Sequence, residues 1–344
     1  MVSNMSNFEA LIGSELYPSP GWFPHYMDQT RQWVRMVHFP EEDYRQAPFL
    51  DARAIDDRKA QDMVAWSFLA GLTKPEHRSD AHWIFHIGHT GSTLISRLLG
   101  ECGDTLCLRE PLILRQLPAG MKGAAIERLP VIRRLLSRCF RESQRAIVKA
   151  TSNVSELAVQ LIGPSAEGGK ALFISIDPRD FIVARLTRDK AELERRAPTR
   201  LLRLQRRLPN LDPAEATSNK ARLAAMSWAC EASSIEAAMG QVGPERWMFL
   251  DFASFLRDPA SSLINLAHHL GIPVDAAQTQ RIVNGPLMGL YSKSNTKLMM
   301  TAERQAAEEQ TATLNRDAIS DALRWLEKQR LCSNLIDRAC ARFD

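Results

Sequence analysis

Residues Trp83–Leu99 read WIFHIGHTGSTLISRLL, and this stretch decides the fold. The apolar run Trp83–Ile87 has the length and character of one buried strand. It runs straight into Gly88-His89-Thr90-Gly91-Ser92-Thr93, and an apolar-periodic helix follows. Small residues let the backbone turn tightly and approach a ligand closely. Successive N–H groups then converge at the positive end of a new helix, a geometry that binds phosphate. The nucleoside-triphosphate loop G-x-x-x-x-G-K-[ST] does not fit. Aligned on Gly91, its first Gly falls on His86 and its Lys on Ser92, so ATP or GTP hydrolysis is not expected. A plain Gly/Ser turn opening a helix, with no ligand, is the simpler alternative.

Working outward, short apolar runs alternate with helical stretches from His82 onward. Strands are expected at Trp83–Ile87, Thr105–Leu108, Ala146–Lys149, Leu172–Ile176 and Trp247–Leu250. That rhythm predicts an α/β fold, a parallel sheet flanked by helices, with ligands beyond the carboxyl ends of the strands. Asp258 and Pro259 open a helix with an apolar stripe at Leu263, Leu266, Ala267 and Leu270, closed by Gly271 and Pro273. Another helix begins at Asp212-Pro213 and runs to about Met239. The first 80 residues read differently, with amphipathic helices expected at Asp28–Val37 and Asp56–Leu72. The expected organisation is a helical lid at 1–80, an α/β domain at 81–300 and a helical segment at 301–344 packed on it.

The chain has 344 residues, enough to bury a core without disulfides or a metal staple. A net charge of +4 suits an anionic small ligand and is too weak to argue for nucleic acid. No apolar run reaches the length of a membrane span. The N-terminus lacks the pattern of a secretory signal. The six cysteines match no zinc or redox spacing, so reduced thiols in a cytoplasmic protein are expected. Apart from His89, the histidines follow no metal-ligand spacing, and no metal is expected.

Chemistry-bearing residues recur just after the expected strands. Glu110 follows the second, where a carboxylate is placed to take a proton from an acceptor hydroxyl, or else caps the helix begun by Pro111. Lys149 ends the third, as a neutralising charge at the ligand edge or as a surface lysine. The stretch from Arg185 to Arg207 is arginine-rich and reads as a solvated helix face or an anion-binding surface.

Gly88–Thr93 resembles the 5′-phosphosulfate loop of sulfotransferases that use 3′-phosphoadenosine 5′-phosphosulfate (PAPS), which reads roughly P-[KR]-[ST]-G-[ST]-[ST]. The last four positions match; Gly88 stands for the Pro and His89 for the Lys or Arg. Arg109-Glu110-Pro111 resembles the segment that carries the family's general base. Asp177-Pro178-Arg179-Asp180 resembles its R-[DN]-P-[KR]-D segment, half of the 3′-phosphate site. Ile176 replaces that segment's first Arg and Ala184 a following Ser, both of which contact the 3′-phosphate in the family. Strand Trp247–Leu250 and the Arg257-Asp258-Pro259 helix complete the order of segments, and the resemblance covers about residues 82–297.

The resemblance implies a sulfotransferase-like fold and transfer of sulfonate from PAPS to a hydroxyl or amine. Glu110, His89 and Lys149 would be the catalytic residues. Gly88, His89, Thr90, Gly91, Ser92, Thr93, Arg179, Arg185 and Lys293 would hold the donor, Lys293 from a basic loop closing over it. The acceptor, whether small molecule, glycan, lipid or peptide, is not written in the sequence, nor is the oligomeric state. Two rival readings keep the fold: a kinase-like phosphoryl transferase, and a non-catalytic binding protein.

Overall fold

The computed structural model describes residues 7–28, 30, 32–56, 58–117, 123–164, 168–188, 190–289 and 301–344. Three strands, β1 (Trp22–Asp28), β2 (Trp33–His38) and β3 (Gln61–Ala65), form an antiparallel sheet in the order β1-β2-β3. Five more, β4 (His82–His86), β5 (Thr105–Arg109), β6 (Arg145–Lys149), β7 (Ala171–Ser175) and β8 (Trp247–Asp251), form an all-parallel sheet in the order β5-β6-β4-β7-β8. Every residue of β4, β5 and β7 is buried. Both faces of the sheet are therefore covered, which is why these strands read as unbroken apolar runs. β4 lies at the centre, so the stretch that decided the fold also occupies its middle.

The first 80 residues depart from the expected helical lid. Asp28–Val37 is not a helix: β1 and β2 meet there around Gln32, whose φ is 59°. Val34 and Met36 are buried while Trp33 is exposed, an alternation of period two. Only the second half of Asp56–Leu72 is helical, as Trp66–Leu72. The apolar spacing of Met63, Val64 and Phe68 fits a helix, but Gln61–Ala65 instead pairs with β2. Tertiary pairing here overrides local periodicity. This region is tied to the parallel sheet by backbone bonds on both sides of Leu50. Leu50 N–H donates to the Arg109 carbonyl (2.7 Å), and Leu112 N–H donates to the Leu50 carbonyl (2.9 Å). The buried Arg109 guanidinium adds a bond to the Tyr44 carbonyl (3.1 Å).

The helix Pro259–His269 has Asp258 as its N-cap, accepting from Ser261 N–H at 3.1 Å, and Pro259 in its first turn. The helix expected from Asp212 is broken into Pro213–Ala216 and Lys220–Val242, with Asn219 capping the second piece. Among the described residues no helix is long and apolar enough to cross a membrane.

Most of the arginine-rich stretch forms the helix Lys190–Gln205, which is solvated on one side, at Arg195, and buried on the other. Arg200 and Arg203 are buried against Glu231 of the Lys220–Val242 helix. Glu231 accepts from Arg200 Nε (3.0 Å) and from Arg203 Nη1 (3.0 Å) and Nη2 (2.9 Å), while Ser155 also donates to it. Burial alone would raise the Glu231 carboxyl, but Arg203 and Arg200 outweigh it and hold it down at about 2, against a usual 4.5.

Glu231→Ala would leave two guanidinium groups buried without their counter-charge, at a cost of about 3–5 kcal/mol. Urea unfolding at neutral pH measures this, and a loss within error of zero would mean that the arginines are satisfied elsewhere. The sign with pH follows from the depressed value. The carboxylate's contribution is complete above about pH 4.5 and fades as pH falls toward about 2, so the gap between wild type and variant closes over that window.

Candidate active site

The cradle begins where β4 ends. His86 Nε2 lies 3.0 Å from the Ala150 carbonyl, and its Nδ1 accepts from Gly88 N–H at 3.0 Å. Those two bonds fix the neutral tautomer with the proton on Nε2. Complete burial agrees, pushing the imidazole down to about 3. Beyond it, Gly88 (φ 91°), His89 (φ 57°) and Gly91 (φ 65°) all take left-handed backbone angles. Such a run turns N–H groups to one side and makes an anion-binding concavity. The helix Ser92–Gly100 starts from Gly91 with no side-chain cap, so its first amides face the same hollow without a competing acceptor. Gly91 is required for space as well as angle. A Cβ there would stand 2.0 Å from the ring of Phe252, the residue after β8.

Glu110 and Lys149 stand at the carboxyl ends of β5 and β6; β6 adjoins the cradle strand, and β5 is the edge strand beyond it. Glu110 N–H donates to the Lys149 carbonyl at 2.8 Å, and Glu110 itself has φ 50°. Lys149 Nζ is ion-paired with Glu110 Oε1, and Arg115 with Glu110 Oε2. Lys149 is 1% exposed, so it is no surface lysine. Glu110 does not cap the helix after Pro111, which has no side-chain cap. Burial works to raise the Glu110 carboxyl, but Lys149 and Arg115 overcome it and hold the group well below the usual carboxylate range. Burial pulls Lys149 down, and Glu110 opposes that shift. Asp51, 3.3 Å from Arg115, extends the chain of alternating charge to Asp51–Arg115–Glu110–Lys149.

His89 differs from the role expected of it. Arg185 Nη1 donates to His89 Nε2, so that ring nitrogen is an acceptor turned toward Arg185. Positive charge at this place comes from the buried Arg185, with Glu192 3.6 Å from its guanidinium and 3.8 Å from His89. The cradle, Glu110, Lys149 and Arg185 open into one cleft of about 400 Å³. Its lining is rich in cations: Lys149 and Arg53, Arg115, Arg185, Arg195, Arg196 and Arg200, against the carboxylates of Asp51, Glu110 and Glu192. A cleft of that balance suits a multiply charged anion.

Arg179 is brought elsewhere. It lines a second cavity of about 290 Å³ at the end of β7, which meets the first at His89. Ile176 and Ala184 are there too, both buried, with Asp180, Glu308 and Glu309 as the acidic lining. The Gly88–Thr93 cradle fits a phosphosulfate. The positions that the resemblance assigns to the 3′-phosphate do not fit one, being aliphatic at both places with carboxylates alongside. Lys293 lies outside the described residues.

Several lining residues gave no signal in the sequence. His86 lies inside an apolar run and reads as strand. Arg115 comes five residues after Glu110, beyond any motif. Asp51 belongs to the region taken for a lid, and only the backbone bonds at Leu50 bring it in. Arg196 and Arg200 lay in a stretch whose two readings could not be separated by composition.

No family model and no curated protein matches the chain. Solved structures do match, at low identity. The sulfotransferase domain from the curacin biosynthetic pathway is 14% identical over 68% of this chain and 96% of that one, with a TM-score of 0.37. The sulfotransferase domain from the Synechococcus PCC 7002 olefin synthase is 15% identical over 70% and 97%, with a TM-score of 0.39. The mouse sulfotransferase SULT7A1 complexed with PAP is 13% identical over 76% and 88%, with a TM-score of 0.40. The α/β assignment stands on the strand order itself.

The cradle's geometry separates its two glycines. Gly91→Ala meets both a left-handed φ and the Phe252 ring, and should cost about 2–4 kcal/mol and disrupt anion binding. Gly88→Ala meets only the φ, with Ser152 Oγ a comfortable 3.9 Å away, and should cost about 1–2 kcal/mol. Denaturant unfolding of both variants checks the order, and a Gly91 variant no weaker than the Gly88 one contradicts it.

Proposed function

We propose that this chain is a sulfotransferase, moving a sulfonate from a nucleoside 5′-phosphosulfate, with PAPS the donor that the resemblance implies, to a hydroxyl or amine of an acceptor. The observation that carries the proposal is the buried Lys149–Glu110 pair at the rim of a left-handed phosphate cradle, at the ends of the paired strands β6 and β5, of which β6 adjoins the cradle strand. When bound, the donor supplies the sulfur–oxygen bond to be exchanged.

The protein's part is positioning and charge. The Gly88–Thr93 amides and the hydroxyls of Ser92 and Thr93 hold the phosphate end and stabilise the charge it gains on leaving. Lys149 is shared between Glu110 and any anion entering the cleft. As it turns toward the anion, Glu110 loses the charge that depresses it and becomes a stronger base. Its carboxylate then takes the proton of the acceptor hydroxyl or amine. Arg115 keeps the carboxylate oriented, and Asp51 keeps Arg115 in place. No part of this sequence depends on the 3′-phosphate.

The acidic and aliphatic second cavity favours one variant of the proposal, a donor recognised without a 3′-phosphate. Calorimetric titration with adenosine 3′,5′-bisphosphate, 5′-AMP and ATP separates the cases. Preference for the bisphosphate supports PAPS and assigns its recognition to residues other than 176 and 184. Equal binding of 5′-AMP supports the variant, and magnesium-dependent preference for ATP supports phosphoryl transfer instead. Glu110→Gln should lower turnover by about 10²–10⁴ while nucleotide affinity changes little. Normal turnover in that variant would remove Glu110 from the mechanism.

A further inference from the structure

The helix Lys190–Gln205 does more than close the cleft. Arg195, Arg196 and Arg200 line it, and the same three with Arg115 also line an adjoining hollow of about 320 Å³. Arg203, Thr199 and Asn153 complete that hollow, so five arginines face it and no carboxylate does. The counter-charges lie behind or to one side. Glu231 backs Arg200 and Arg203, Glu192 pairs with Arg196 at 2.9 Å, and Glu110 with Asp51 holds Arg115.

Two features point to a ligand rather than a solvated surface. Arg200 is 5% exposed, yet its Nη1 is buried without a hydrogen-bond partner. An unpaired buried guanidinium nitrogen is costly, and since Arg200 lines the hollow, a small shift of its side chain would bring that nitrogen onto an oxyanion there. Arg195 lines the hollow, is exposed, and makes no ion pair among the described residues. A guanidinium presents a rigid fork suited to phosphate and carboxylate.

We infer that this annex binds the acceptor, and that the acceptor is a small molecule carrying an oxyanion, phosphate or carboxylate, beside the hydroxyl or amine to be modified. Arg115 links the two chambers, since it lines both and grips Glu110. An oxyanion held by Arg195, Arg196 and Arg200 leaves the rest of the molecule at the Glu110 carboxylate. The cradle takes the donor on the other side. The inference rests on the reading of Glu110 as the acceptor-side base. It replaces an open choice among glycan, lipid, peptide and small molecule with one chemical class.

Inorganic phosphate and citrate serve as probes, titrated calorimetrically into the full chain with 5′-AMP present to occupy the cradle. Wild type should bind at least one of them, and the tighter one names the oxyanion. Arg195→Gln combined with Arg196→Gln should weaken that probe by at least about tenfold, the weight of one charged hydrogen bond. Arg195→Gln alone, at an exposed residue with no ion pair to break, should weaken it in the same direction and guards against misfolding of the double variant. Undiminished binding in both variants, with circular dichroism unchanged, overturns the inference. Arginine-dependent probe binding in a chain that binds no nucleotide would support the annex while removing the transferase reading.

Discussion

Lys149 and Glu110 share one place out of water, and the site is arranged around keeping them there. Burying either charge alone costs several kcal/mol, and even a good pair seldom does better than apolar residues in the same space. Stability alone therefore gives no reason to place the pair at the ends of β5 and β6. The surroundings are organised to make it tolerable: Arg115 takes the second carboxylate oxygen, and Asp51 takes Arg115. Because Asp51 comes from the connection between β2 and β3, the N-terminal region is part of the site's electrostatics. The backbone bonds at Leu50 fix the carboxylate that balances the row.

The parallel sheet was legible because each of its strands is a single buried run. Trp83–Ile87, Thr105–Leu108 and Leu172–Ile176 each fall within a residue of the observed strand, and the cradle follows from small residues at a strand-to-helix turn. The N-terminal sheet was not legible. Met63, Val64 and Phe68 satisfy a helical period, and only pairing with β2 explains why Gln61–Ala65 is extended. The site divides in the same way. Glu110 and Lys149 could be read because strand ends are where ligands gather. Arg115, Asp51 and His86 could not, since their roles depend on contacts between segments distant in sequence or on a ring buried inside an apolar run. His89 shows a further limit. Its position in the loop was readable, but its orientation toward Arg185 was set by another helix.

The two chambers on either side of His89 have opposite character. The cleft over the cradle is dominated by cations, whereas the cavity at the end of β7 is aliphatic with acidic edges and only Arg179 against them. A ligand lying across both would put its charge in the first and its neutral part in the second. A nucleoside 5′-phosphosulfate has that distribution when its ribose hydroxyls are free. Hydroxyls donate to carboxylates such as Asp180 or Glu309, whereas a phosphate would be repelled by them.

On the far side of Glu110 the balance tips further toward positive charge, and the physical consequence is a matter of order. With both chambers empty, the arginines of the Lys190–Gln205 helix lean on Glu231 and Glu192, and Lys149 leans on Glu110. Each anion that entered would replace a carboxylate as partner to one of these cations. On the proposed reading, occupation of the cradle would draw Lys149 away from Glu110, while occupation of the annex would leave Glu110 as the nearest free acceptor to the second ligand. Glu110 would thus gain basicity only once the donor is seated in the cradle, so the buried pair would couple donor binding to acceptor activation through charge alone, with no movement of the backbone required.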